Sequence, residues 1–283
     1  METSIILIYG TLLLSVISIW TEIKLLKRIP LWIILLGLSF TLAVIFKRVS
    51  IVGLIYSGVF GLSIFYFYKR KNIWLFLLII SLAIPLFFHF SFTSFNNYKY
   101  LNSVSLSPHS ISYSLYFNLD KTLIGLFIIG FSFKKMDISI MSLLKRIGIS
   151  LLIMSIFFFV LTSVLDYSKF DPKLPSFTIV WILCNLFFIC MAEEALFRGF
   201  VQKELEIFIK GKLSGIISVV IASLVFGMAH FKGGLMYIIL SSIAGLFYGY
   251  VYFKTKRVES SMLLHFLFNL IHFLLFAYPA LKQ

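Results

Sequence analysis

Apolar residues arrive in long blocks separated by short basic or polar stretches. The blocks cover 4–20, 30–46, 50–68, 73–90, 122–133, 147–165, 177–197, 214–231, 234–253 and 260–279. A helix that crosses a bilayer needs about 20 such residues. The pattern therefore predicts an all-α, polytopic transmembrane bundle of about 8–10 helices, ten if every block is one helix. Block 122–133 is short and reads as an interfacial helix or as part of a longer tilted one. Residues 91–121 form the longest polar stretch, with only Lys99, Asp120 and Lys121 charged. Its aromatic side chains suit the lipid–water interface, so it reads as an external loop lying on the bilayer, with a lid or substrate-contacting loop as the alternative. Residues 200–212 set Phe200, Leu205, Phe208 and Ile209 against Lys203, Glu204, Glu206, Lys210 and Lys212, an amphipathic extension at the inner interface.

Composition agrees with the pattern. Of 283 residues 60% are hydrophobic and 13% charged, and the mean hydropathy is +1.02. Soluble domains carry about 25% charged residues. The formal charge of +14 raises nucleic acid as a partner, but the bases are scattered between apolar blocks. Basic loops follow the positive-inside rule, so topology explains the charge and no nucleic-acid partner is expected. With ten spans and the N-terminus outside, 17 of the 25 Lys and Arg fall inside, which favours both termini outside. Cys184 and Cys190 lie in one apolar run at a spacing that does not suggest a disulfide, and they read as packing residues.

The polar residues inside the blocks carry the chemistry. Glu193 and Glu194 end the run Phe177–Ala192, and one charge at a helix centre costs about 2.5–3.5 kcal/mol on insertion scales. Arg198 stands four residues after Glu194 on the same helical face, in the favourable orientation for an ion pair. Glu193 has Ile189, Cys190, Leu196 and Phe197 at those spacings, so its own helix offers it no basic residue. Two further features lie in later blocks. Phe226 and His230 are four apart, so the ring packs over the imidazole. His265 and Asn269 are also four apart, and His272 extends that face. His272 and His89 read as hydrogen-bonding groups between helices.

In that order, Glu193-Glu194-Ala195-Leu196-Phe197-Arg198, then Phe226-Gly227-Met228-Ala229-His230, then His265-Phe266-Leu267-Phe268-Asn269, the chain resembles a family. It is similar to the CAAX prenyl protease and bacteriocin-processing (Abi) family of glutamate-type intramembrane endopeptidases. The resemblance covers about residues 118–275. It divides the chain into N-terminal helices and an aromatic loop, 1–117, and a protease-like core, 118–283, with the site between helices inside the membrane. It implies that Glu193 is the general base, that His230 shares its water, and that His265 and Asn269 serve the oxyanion. Glu194, Arg198 and Phe226 would support the site. The chemistry is consistent with this, because a carboxylate in apolar surroundings is a stronger base than one in water. Oxyanion donors supply about 2.7–4 kcal/mol in a known protease.

The implied partners are the bilayer and a peptide or protein substrate, either a leader peptide or a lipidated C-terminus. The implied location is the cell membrane, as a bacterial multi-pass protein. No cofactor is implied; zinc on Glu193 and the two histidines is the alternative, although the spacing is not that of a zinc motif. Two non-peptidase readings compete. One is a membrane protein for bacteriocin immunity or scaffolding, with the polar residues as interhelical glue. The other is a transporter that relays protons through Glu193 and the histidines.

Overall fold

The computed structural model describes residues 2–21, 23–25, 28–133 and 139–282. Among them the chain forms α1 (Thr3–Ser18), α2 (Leu31–Ile45), α3 (Ile51–Lys69), α4 (Ile73–Phe87), α5 (Leu119–Ser132), α6 (Ile140–Val164), α7 (Thr178–Ile209), α8 (Ser214–Met228), α9 (Gly234–Thr255) and α10 (Val258–Leu275). Each expected block holds one helix. Six helices, α1, α3, α6, α7, α9 and α10, are long and apolar enough to cross a membrane; α2, α4 and α8 are apolar but shorter. The chain is thus an all-α multi-pass membrane protein. On α6, large apolar side chains such as Met141, Leu152, Ile156 and Val164 are exposed. Such a surface is tolerated where lipid, not water, solvates it.

Block 122–133 differs from expectation. It is neither interfacial nor a long tilted span: α5 is 14 residues long and is buried on every side from Leu119 to Ile129. A helix that is apolar all round belongs in a core. The polar stretch before it is not all loop. Strands β3 (Tyr98–Val104) and β4 (Tyr113–Phe117) pair within it. Two shorter strands, β1 (Lys24–Leu25) and β2 (Ile29–Pro30), pair antiparallel between α1 and α2. Lys27, Lys134 and Lys135, counted above among the inside bases, lie outside the described residues.

The described residues fall into two compact units. The first comprises those within Met1–Tyr100, Tyr116–Lys135 and Phe187–Ala192, the second those within Leu101–Leu115, Met136–Leu186 and Glu193–Gln283. In the first, α1 and α2 are tied by Ser15 Oγ donating to Trp32 O at 2.7 Å and Ser39 Oγ donating to Ile8 O at 2.9 Å. A buried polar knot fixes the start of α5. Asp120 accepts from His89 Nδ1 at 2.9 Å, from Asn97 Nδ2 at 2.9 Å and from the Lys121 amide at 2.8 Å. His89 therefore makes the kind of bond expected of it, between the end of α4 and α5. An acidic side chain in the first turn also suits the positive end of a helix.

In the second unit α8 and α9 form a helical hairpin, and α9 also faces the late part of α7. Arg198 Nη2 donates to Gly245 O at 3.1 Å and Gln202 Nε2 donates to Gly249 O at 3.0 Å. Both pairs step four residues along each helix, so α7 and α9 run parallel there. The approach is close at both rungs: a Cβ on Gly245 would lie 3.2 Å from Arg198 Nη2, and one on Gly249 3.0 Å from Gln202 Oε1. The expected amphipathic face of 200–212 is also revised. Gln202 and Glu204 are buried, although Glu204 was assigned to the polar side. The cause is local: Ala195–Gln202 winds with i→i+5 hydrogen bonds, which shifts every later side chain around the axis.

Candidate active site

The site is built on α7, α8, α9 and α10 of the second unit, starting from the two glutamates. Met191–Glu194 is a short α-helical stretch between two wide turns, Asn185–Cys190 and Ala195–Gln202, both with i→i+5 bonding. Glu193 is 4% exposed, and Glu194 and Arg198 are fully buried. Arg198 Nη1 donates to Glu194 Oε1 at 3.2 Å, the i,i+4 pair read from the sequence. Its guanidinium also lies over the Phe226 ring, 4.5 Å from the centroid, and 5.4 Å from that of Tyr248. The cation is thus held by a carboxylate, a carbonyl and two aromatic faces, which suits a charge removed from water.

His265 of α10 joins the two acids. Its Nδ1 lies 2.9 Å from Glu194 Oε1 and its Nε2 lies 4.0 Å from Glu193 Oε2. A carboxylate paired with Arg198 is an acceptor, so Nδ1–H donates to Glu194, and Nε2 faces Glu193. The imidazole stacks on Tyr248, with centroids 4.5 Å apart and planes at 15°. Both ring nitrogens of His265 thus face carboxylates.

His230 stands outside a helix. α8 ends at Met228 and His230 precedes the single 3-10 turn Phe231–Gly233, so the expectation that it lies within an apolar helix is corrected. Glycines 233 and 234 favour the turn, and Gly234 takes φ +81°. Phe226 still packs against the imidazole, with centroids at 4.7 Å, and against His265 at 5.7 Å. His230 Nδ1 lies 2.8 Å from Phe226 O, and a carbonyl only accepts. Nδ1 therefore carries a proton and donates it to that carbonyl. Asn269 Nδ2 donates to Asn185 Oδ1 at 3.3 Å. His272 lines the same cavity as His230 and His265, edge-on to Tyr278 at 5.3 Å.

His230, His265, Asn269, Phe226 and Tyr248 line one side of a cavity of about 150 Å³; its other walls come from α6, from α9 and from residues Phe276–Ala280. Glu193 is not among the lining residues and reaches the cavity through His265. Among the described residues no three His, Cys, Asp or Glu side chains are grouped so as to hold a metal ion. The structure thus brings together Glu193, Glu194, Arg198, Phe226, His230, His265 and Asn269. Sequence reasoning missed Asn185, Tyr248, Gly245 and Gly249. Signals for them were present: Asn185 is a polar residue inside an apolar run, and Gly245-Leu246-Phe247-Tyr248-Gly249 has the small-residue spacing of close helix contacts.

The segment after α10 is strapped over the cavity's end. Ala277 N donates to Lys169 O at 2.8 Å, Ile111 N to Ala280 O at 3.0 Å and Lys282 N to His109 O at 2.8 Å. Lys173 Nζ donates to Phe276 O and to Asp171 O at 2.9 Å. A hydrogen bond from Ser107 and the neighbouring Lys173 ammonium hold the Asp171 carboxyl below its ordinary range. Burial pushes the Lys173 ammonium below its own ordinary value.

No curated protein and no solved structure matches the chain. Residues 175–271 match one family, and that segment contains Glu193, Glu194, Arg198, Phe226, His230, His265 and Asn269. Over those residues the chain is similar to the type II CAAX prenyl endopeptidase Rce1-like family, a family of membrane peptidases.

Proposed function

We propose that the protein is an intramembrane endopeptidase that hydrolyses a membrane-associated peptide with a water activated by Glu193. One observation carries this reading. A carboxylate, an imidazole and a paired second carboxylate stand in line, and the imidazole also borders a cavity with His230 and Asn269. In the proposed step the water proton passes to Glu193 as the oxygen attacks the peptide carbonyl carbon. His230 accepts a hydrogen bond from that water at Nε2. Asn269, oriented by Asn185, donates an amide N–H to the oxyanion. The C–N bond then breaks, and the proton held between Glu193 and His265 Nε2 moves to the leaving amine.

Glu194 and Arg198 keep His265 in one tautomer and one orientation. The same division of labour orients a catalytic imidazole in other hydrolases. The reading places the protein in a bacterial cytoplasmic membrane and uses no metal. Its test is Glu193→Gln. The amide cannot take a proton, and loss of a general base costs about 10²–10⁴ in rate. Membrane peptides compared by mass spectrometry between cells carrying the wild type and cells carrying Glu193→Gln identify the substrate. Equal processing by both proteins sinks the assignment.

A further inference from the structure

Away from the cavity, the second unit gathers positive charge at one end. The turn between α7 and α8 carries Lys210 and Lys212, and the last turn of α9 carries Lys254. All three side chains are exposed. The acids beside them are engaged elsewhere: Glu206 pairs with Lys256 at 2.7 Å and Glu259 with Arg257 at 3.2 Å. Among the described residues no ion pair reaches Lys210, Lys212 or Lys254.

Phe253 brings the two sources of charge together. Its ring lies against Gly215 in the first turn of α8, where a Cβ has no room. Lys254 Nζ and Lys256 Nζ stand 5.6 Å and 4.6 Å from the centre of the same ring. The end of α9 therefore meets the start of α8, three residues past Lys212. Ammonium groups gathered in this way repel one another, and an anion among them relieves the repulsion.

An apolar stripe leads away from these lysines along α8. Ile216, Val220, Leu224 and Met228 recur every four residues and share one side of the helix. Each is between 42% and 58% exposed. At about 1.5 Å per residue the stripe is roughly 18 Å long. The hydrocarbon of one leaflet is about 15 Å deep, half of a core of about 30 Å. A cationic end joined to an apolar track of leaflet length matches a phospholipid. A soluble anion or an acidic protein would leave the track uncovered.

We propose that this end of the second unit binds an anionic phospholipid, its phosphate held by Lys210, Lys212 and Lys254 and one acyl chain laid along the α8 stripe. None of these residues lines the cavity, and the site stands whether or not the protein is a peptidase.

The test is native mass spectrometry of the detergent-solubilised full chain at low ionic strength, titrated separately with phosphatidylglycerol and phosphatidylcholine. A basic residue beside an anionic headgroup strengthens its hold roughly fivefold. The first phosphatidylglycerol should therefore bind at least about tenfold more tightly than the first phosphatidylcholine. Lys210→Gln, Lys212→Gln and Lys254→Gln together should erase that preference. The same charge removed in the first unit, by Lys47→Gln, Lys69→Gln and Lys99→Gln, should leave it in place. Leu224→Asn, which interrupts the stripe at an exposed position, should weaken both lipids alike. Equal binding of the two lipids by the wild type, or equal loss of preference in the two triple variants, overturns the proposal. Unchanged affinity in Leu224→Asn overturns it too, and displacement of the bound lipid by millimolar inorganic phosphate would make this a site for free anions instead.

Discussion

Arg198→Ala tests the frame on which the site hangs. The guanidinium is fully buried, donates to Glu194 Oε1 at 3.2 Å and to Gly245 O at 3.1 Å, and lies over Phe226. Removing it leaves Glu194 accepting from His265 Nδ1. Breaking a buried ion pair by deleting one partner costs about 3–5 kcal/mol, because the other charge stays out of water. His265 offsets part of this if it takes up a proton, so the lower end, about 3 kcal/mol, is the working figure. For a domain of 150–250 residues each kcal/mol moves Tm by about 2–4 °C, which gives a fall of about 6–12 °C. Thermal unfolding of the detergent-solubilised protein, followed by tryptophan fluorescence, measures it. The double variant Arg198→Ala with Glu194→Gln removes the orphaned charge and keeps an acceptor for His265, so it should recover about half the loss. A Tm within about 2 °C of wild type for the single variant, or no recovery in the double, refutes the reasoning.

Peptide cleavage should fall about 10²–10⁴-fold in His230→Ala and far less in His272→Ala, measured on the substrate found by mass spectrometry. It should also persist in metal chelators; loss of activity restored by added zinc would overturn the metal-free mechanism. Asp120→Ala should destabilise the first unit by about 3 kcal/mol, because it strips acceptors from His89 and Asn97 together, read as faster proteolysis of the loop 91–97. The strap has a defined pH response. The folded Asp171 carboxyl lies below its ordinary range, so its contribution is present above the unfolded value and is lost as pH falls through the folded one. For Lys173 the folded ammonium binds its proton less tightly than the unfolded one, so stability rises as pH climbs toward the ordinary lysine value. Asp171→Asn should remove the acid-side dependence, a change of at most about 1 kcal/mol, seen in the fluorescence of Trp181 beside Tyr278. A cytoplasm-only reporter fused to the C-terminus should stay inactive if both termini are outside.

The polar residues of the candidate site were legible because an ionisable group in an apolar block is rare and costly. Glu193, Glu194, His230 and His265 stood out before any fold was known, and the i,i+4 rule paired Glu194 with Arg198 correctly. Pairings between helices were not legible in the same way. That His265 turns its Nδ1 to Glu194 depends on how α10 rotates against α7, and no periodicity within either helix reports this. The helix around His230 was overread because apolar residues run on past Met228, while the glycines at 233 and 234 that break it lie just beyond the motif. The strands β3 and β4 were read as loop, although Tyr98, Tyr100, Tyr113 and Phe117 have strand propensity. Their Ser and Asn content outweighed that signal.

The wide turns on either side of Met191–Glu194 explain why adjacent glutamates meet different partners. On a regular helix, residues 194, 198 and 202 drift around the axis at each turn. The i→i+5 turn across Ala195–Gln202 changes that phase, and Arg198 and Gln202 both reach α9, at Gly245 and Gly249. Two rungs hold α7 against α9 in one register. The same register stacks Tyr248, which lies between the two glycines, on His265. His265 is therefore fixed from three directions: by Glu194 at Nδ1, by Tyr248 across its face and by Phe226 at its edge. Glu193, one residue before Glu194, is turned about a quarter of a helical turn away from this frame and faces Nε2 across 4.0 Å. The irregular turns thus give two neighbouring acids different partners. Irregular turns of this kind persist where the surrounding packing over-determines them. Here that packing is the glycine ladder, so Gly249→Ala should disturb the orientation of His265 without touching any polar side chain of the site.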